Sequence, residues 1–147
     1  MKILIADSGS TKTDWALVDE QGNVMVTCKT QGISPIHQSD AEILDVLCKE
    51  LVLSEQPQEV FFYGSGVTEA MKSRMKSLLQ QSFPEAKVEA EDDMLGAARA
   101  LFGKKPGIAC ILGTGANSCL YDGEKIVMNT PPLGYILGDE GSGAVIG

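Results

Sequence analysis

Residues 3–18 read ILIADSGSTKTDWALV. An apolar run over residues 3–6 ends in one carboxylate, Asp7. The chain then turns through Ser8, Gly9, Ser10, Thr11, Lys12 and Thr13 and enters a second apolar run at residues 15–18. Two strands joined by small residues leave backbone N–H groups free to converge on an anion, and Gly9 permits positive φ where the chain bends. Hydroxyls at Ser10, Thr11 and Thr13 add donors. Asp7 sits where a phosphate-bound Mg²⁺ needs an oxygen ligand, through water because Mg²⁺ sheds its hydration shell reluctantly. Taken alone, the stretch reads equally well as a hairpin turn rich in small polar residues.

An echo about a hundred residues later shifts that balance. Residues 108–117, IACILGTGAN, again run from an apolar strand into a Gly-rich turn, Gly113, Thr114 and Gly115, followed by Asn117. After each turn come a short strand, a polar Gly-containing turn (residues 19–23; Asp122 and Gly123) and another strand. Asp-Gly between apolar runs is a strong hairpin signal. The same unit thus occurs twice, and two such hairpins facing across a cleft would grip a nucleoside triphosphate from both sides.

The 147 residues suffice for one domain or slightly more. A 44% hydrophobic content supports a packed core, and the net charge of −8 disfavours nucleic acid or an anionic membrane as partner. The N-terminus lacks the pattern of a cleaved leader, and no apolar run reaches the length of a membrane span. Cys28, Cys48, Cys110 and Cys119 lie in apolar runs without CxxC spacing, which predicts buried free thiols in a reducing cytoplasm and no zinc or iron–sulfur site.

Along the chain, residues 1–7, 12–19 and 23–29 read as an antiparallel meander, and 30–38 as a loop broken by Gly32 and Pro35. Ser39 and Glu42 form a capping box ahead of Ile43, Leu47 and Leu51 at helical spacing. Residues 59–63 predict a strand and 67–83 a helix with Met71, Met75, Leu78 and Leu79 on one face. Residues 86–90 predict a strand, and 93–102 a helix closed by Gly103. The order βββαβαβα implies a mixed sheet with helices on its faces. Residues 104–107 read as a linker, 108–129 restart the meander, and 139–147 read as the start of a helix. The expected organisation is one domain over 1–105 and the opening strands of a second, similar domain over 106–147.

Three motifs carry a family resemblance: DSGSTKT at 7–13, LGTGAN at 112–117 and GDEGS at 138–142. Together and in this order they resemble the BadF/BcrA-type ATPases, and among them most closely the N-acetylglucosamine kinases. These belong to the sugar kinase, actin and heat-shock chaperone superfamily. The resemblance implies an α/β fold of two ribonuclease-H-like domains around an ATP cleft, with ATP and Mg²⁺ as cofactors. The partners it implies are a sugar and a nucleotide, with a homodimer as the candidate assembly. The chain resembles only the first half of such a kinase, so the chain alone is expected to be inactive.

The candidate base shows how the two kinds of reading combine. Glu91, Asp92 and Asp93 end a strand and open a helix, where carboxylates ordinarily cap free N–H groups. The following Leu95, Gly96, Ala97 and Ala98 resemble the family segment after its catalytic Asp, and that selects Asp93. A base there would take the proton of a sugar hydroxyl attacking the γ-phosphate. By the same resemblance, Gly9 to Thr13 with Gly113, Thr114 and Gly115 would hold the phosphates, with Lys12 directed at their oxygens. Leu133, Gly134 and Asp139 would line and bind the sugar.

Asn117 suits a polyol or acetamido group, or is a turn residue. Loop 32–38 matches the family's sugar loop in position, but where relatives carry Asn this chain has Ser34 or Ile36, depending on alignment. His37 reads as exposed or structural, and Trp15 and Tyr63 as core. A cysteine-clustered activator of 2-hydroxyacyl dehydratases and a non-catalytic sugar-sensing module are the rival readings.

Overall fold

A computed structural model of the protein describes residues 1–113 and 115–130. The chain divides into two compact units, Met1–Asp93 and Met94–Gly147.

The first unit opens with the expected meander: β1 (Lys2–Ser8), β2 (Lys12–Asp19) and β3 (Val24–Gln31). Loop 32–38 follows, then helix α1 (Asp40–Asp45), strand β4 (Glu59–Gly64), helix α2 (Lys72–Ser82) and strand β5 (Lys87–Asp92). The sheet order is β3-β2-β1-β4-β5, with β1 antiparallel to β2 and parallel to β4, and β5 parallel to β4. This is the ribonuclease-H-like arrangement that the family resemblance implies, and the mixed sheet that the element order predicts.

Alternation decides the faces. Leu4 and Ala6 on β1, Trp15 and Leu17 on β2, and Val60 and Phe62 on β4 point to one side and are buried. There they meet Ile43, Val46 and Leu47, and Met75, Leu78 and Leu79 of α2. Burying each such side chain contributes about 1.5–3 kcal/mol. Trp15 is 1% exposed; its indole N–H donates to Thr30 Oγ1 at 3.0 Å, and its ring lies 6.0 Å from that of Phe62. Tyr63, expected in the core, is half-buried on the opposite face because its pleat position is odd with respect to Phe62.

The capping box forms as predicted: Glu42 N–H donates to Ser39 Oγ at 3.2 Å, and Ser39 N–H to Glu42 Oε2 at 2.7 Å. Helical spacing does not carry through to Leu51, however. Residues Val46–Glu50 form a π-helical turn, and Leu51 is extended with φ −81° and ψ 100°. The wider turn lets the adjacent Val46 and Leu47 both face the core. α2 begins five residues later than the sequence suggests, after a turn at Thr68–Met71.

In the second unit, α3 (Asp93–Phe102) packs Met94 and Ala98 against Ala109, Cys119 and Tyr121. Those three belong to a meander of β6 (Gly107–Leu112), β7 (Ala116–Tyr121) and β8 (Ile126–Asn129). α3 thus packs with the second sheet, although its sequence position suggested the end of the first domain. The Tyr121 hydroxyl lies 2.7 Å from the Gly103 carbonyl and 2.9 Å from that of Gly123, one proton serving both. Gly123 has φ +104°, as the Asp-Gly turn requires.

The cysteines correct one expectation. All four are free, but only Cys119 is buried; Cys48 and Cys110 are exposed, and Cys28 is half-buried, its thiol pushed up by desolvation. None of the described helices is long and apolar enough to cross a membrane.

Candidate functional site

The sheet register brings the site together. Lys29 pairs with Asp14, Asp14 with Asp7, Asp7 with Tyr63 and Tyr63 with Glu91. These five form one row across the sheet, on the face opposite the buried core, and at its β5 edge Glu91 reaches Lys72 of α2 at 2.7 Å. The next row, Thr30, Thr13, Ser8 and Gly64, faces the core and is buried. β1, β4 and β5 run parallel, so all three end at one edge, where ligands meet α/β sheets. Asp7 emerges there from β1, and Asp93 directly follows β5. Two strand spacings separate β1 from β5, about 10 Å of sheet width.

The charges in the row are unequal. Asp14 is engaged, with Lys12 Nζ at 2.9 Å and Lys29 Nζ at 3.7 Å. The hydrogen bond from Lys12 holds the Asp14 carboxyl below its ordinary value against desolvation, and the charges of both lysines add to the lowering. Asp7, directly opposite, is exposed and has no ion pair among the described residues. An exposed carboxylate at a strand end fits an outer-shell Mg²⁺ ligand, since Mg²⁺ keeps several waters and needs few protein oxygens. No group of three or more His, Cys, Asp or Glu side chains that could hold a metal occurs among the described residues. A metal delivered on a nucleotide needs none. Lys12 points to Asp14 rather than over the turn.

The candidate phosphate turn, residues 9–12, is tighter than its sequence suggests. Gly9 N–H donates to the Lys12 carbonyl at 2.9 Å and is therefore occupied. Gly9 does not adopt positive φ, and a Cβ there would meet only the Lys12 carbonyl at 3.7 Å. The conformational role expected of Gly9 is absent. Ser10 and Thr11 are exposed, and their amides find no acceptor among the described residues. Thr13 is fully buried: its hydroxyl lies 2.7 Å from Ser8 Oγ and donates to the Gln31 carbonyl at 3.1 Å. It is a strut beneath the turn, while Ser10 and Thr11 offer amides and hydroxyls above it.

Loop 32–38 lies directly against this turn. Gly32 N–H donates to the Thr11 carbonyl at 2.9 Å, and Ile33 N–H to Ser8 Oγ at 3.0 Å. Ser34 is buried, its N–H donating to Gln38 Oε1 at 2.8 Å, whereas Ile36 and His37 are exposed. From α2, Arg74 donates to the Pro35 carbonyl, to the Gln38 carbonyl at 2.8 Å and to Asp40 Oδ1 at 2.6 Å. Ser8, Gly32, Gln38 and Arg74 were not among the predicted site residues. Gly32 stood out only as a loop breaker, and a single arginine in a helix carries no local signal.

In the second unit, Gly113 N–H donates to the Gly115 carbonyl at 2.9 Å, closing the β6–β7 turn. Asn117 is half-buried, its Oδ1 accepting the Ser118 N–H at 2.9 Å. Thr114, Leu133, Gly134 and Asp139 lie outside the described residues.

No family model matches the chain, and no curated protein matches it. Solved structures do. A protein of Porphyromonas gingivalis described as a "putative N-acetylglucosamine kinase" is 49% identical over 99% of the chain, with TM-score 0.94. A Chromobacterium violaceum protein of the same description is 22% identical over 97%, with TM-score 0.74. A ROK family glucokinase of Streptomyces griseus, solved with glucose and AMPPNP, is 22% identical over 86%, with TM-score 0.64. The last two show the fold alone. The chain spans about half of each, 53%, 53% and 46% respectively. It therefore has the fold of these proteins and is 49% identical to about half of a protein described as a "putative N-acetylglucosamine kinase".

Proposed function

We propose that the chain is the N-terminal half of an ATP- and Mg²⁺-dependent kinase that phosphorylates an amino sugar, N-acetylglucosamine at its 6-hydroxyl. The observation that carries this reading is the common edge of β1 and β5. There Asp7, a carboxylate without an ion pair among the described residues, stands beside a turn whose Ser10 and Thr11 amides have no acceptor among them, and Asp93 follows two strands away. The 49% identity to the Porphyromonas gingivalis protein supports the choice of acceptor.

In this mechanism the Ser10 and Thr11 amides and hydroxyls hold phosphate oxygens. Asp7 would hold a hydrated metal through its waters, and that metal would supply positive charge to the phosphates. Asp93 orients the acceptor hydroxyl and takes its proton as the oxygen attacks. Phosphoryl transfer depends mainly on such positioning and on charge stabilisation. Gly113, Thr114 and Gly115 are the second phosphate turn, and Ser34, Asn117, Leu133, Gly134 and Asp139 the sugar contacts. The protein acts in the cytoplasm, with a homodimer as its candidate assembly.

A coupled ADP-release assay on the complete gene product with a panel of hexoses tests the proposal. ADP release that depends on both Mg²⁺ and N-acetylglucosamine is expected, and none from residues 1–147 alone. Hydrolysis indifferent to every sugar would overturn it.

A further inference from the structure

The phosphate turn and loop 32–38 are a single body, joined by contacts that leave no clearance. A Cβ on Gly32 would lie 2.6 Å from the Gly9 carbonyl oxygen and 2.7 Å from the carbonyl carbon and oxygen of Ser10. These are backbone atoms, which cannot swing aside as a side chain can. The Gly32 amide closes the contact through Thr11. Beneath it, Ser8 and Thr13, both 0% exposed, tie Gln31 and Ile33 to the hairpin.

The far end of the loop is fixed independently. The Gln38 side chain bridges the Gly32 carbonyl at 3.2 Å and the Ser34 amide at 2.8 Å. The Arg74 guanidinium spans Pro35, Gln38 and Asp40 from α2. A planar fork engaging three acceptors fixes direction as well as distance, which an ammonium would not.

We infer that Gly32 and Arg74 are positioning residues, which hold the acceptor loop at a fixed offset from the phosphate turn so that the acceptor hydroxyl and the γ-phosphate are aligned. The inference rests on the kinase reading above and adds to it what sets the alignment. A displacement of about 1 Å between reacting groups is enough to cost roughly 100-fold in rate. A misplaced acceptor also leaves the γ-phosphate open to water.

Two variants of the complete gene product test it, with ATP and N-acetylglucosamine as substrates and ADP and sugar phosphate counted separately. For Gly32→Ala the expected result is a kcat at least tenfold lower with the KM for ATP within threefold. ADP released per sugar phosphate should rise from one to two or more. Arg74→Met does not touch the turn; it should raise the KM for the sugar about tenfold and leave that for ATP within twofold, with Arg74→Lys between. Unchanged stoichiometry in Gly32→Ala, or an unchanged sugar KM in Arg74→Met, measured at a temperature where each variant is still folded, would overturn the inference.

If the parent phosphorylates no sugar, the kinase reading fails by itself, and amide shifts of the ¹⁵N-labelled protein with Mg·ATP alone decide the rest. Gly32 and Ile33 should respond together with Ser10 and Thr11. A response confined to Ser10 and Thr11, or none at either, would overturn the single-body inference.

Discussion

Asp7 on β1 stands directly opposite Asp14 on β2, two carboxylates on one face of one ladder. Like charges so placed disfavour the fold. Lys12 and Lys29 offset Asp14 alone. The arrangement keeps one anion neutralised and leaves its neighbour exposed beside the turn at residues 9–12, an arrangement that suits the proposed role of Asp7.

Asp7→Asn should therefore act in opposite directions on stability and binding. Removing the opposed charge should raise the stability of the free protein by about 0.2–1 kcal/mol, read as a higher urea midpoint. Mg·ATP should bind at least tenfold more weakly by calorimetry. Unchanged nucleotide affinity would take Asp7 out of the site.

Asp93→Asn should leave both substrates bound and lower turnover by roughly 100-fold or more, the usual contribution of a general base. The side chains are nearly the same shape, so the melting temperature should hold. A variant retaining most of the parent's kcat would remove Asp93 from the chemistry.

The two glycines that meet at the turn should differ in their tolerance of a methyl group. Gly9 has ordinary space around its Cβ position and no positive φ. Gly9→Ala should therefore be neutral or stabilising by about 0.4–1 kcal/mol through the unfolded chain. Gly32→Ala forces backbone apart and should cost about 1–3 kcal/mol. Parallel denaturant titrations check the ranking, and equal losses would contradict the contact geometry.

Ser39→Ala removes the oxygen that accepts the Glu42 amide at the start of α1. A lost N-cap costs about 0.5–2 kcal/mol. Ser39→Asp should recover most of it, and failure of that rescue in urea titrations would show that the cap is not the cause.

A pH effect follows from Lys72, whose ammonium lies 2.7 Å from Glu91 and 2.9 Å from Glu69. The hydrogen bond to Glu91, chiefly, holds its pKa above the ordinary 10.5. Because the folded value is the higher, the pair's contribution is complete below pH 10.5 and is lost as pH rises through the folded value. Lys72→Met should destabilise the protein by less than about 1 kcal/mol at pH 8 and by progressively less as the pH rises above 10.5. A difference that persists at high pH would rule out the ion pair as its source.

The sequence by itself determined the elements and their order. The apolar runs at residues 3–6 and 15–18, the Asp-Gly turn at 122–123 and the capping box at Ser39 each act through neighbours a few residues apart, so the chain displays them locally. The two Gly-rich turns were legible for the same reason, whereas Asp93 was singled out from Asp92 only by the resemblance of the segment that follows it. Only the tertiary structure decided which groups meet. The opposition of Asp7 and Asp14 depends on register, and the inward turn of Thr13 on pleat parity. The seating of Gly32 on Gly9 and Ser10, and the reach of Arg74 to Pro35, join residues more than twenty positions apart. Such contacts are fixed by sheet order and by packing without clearance, neither of which leaves a mark within any short window of sequence.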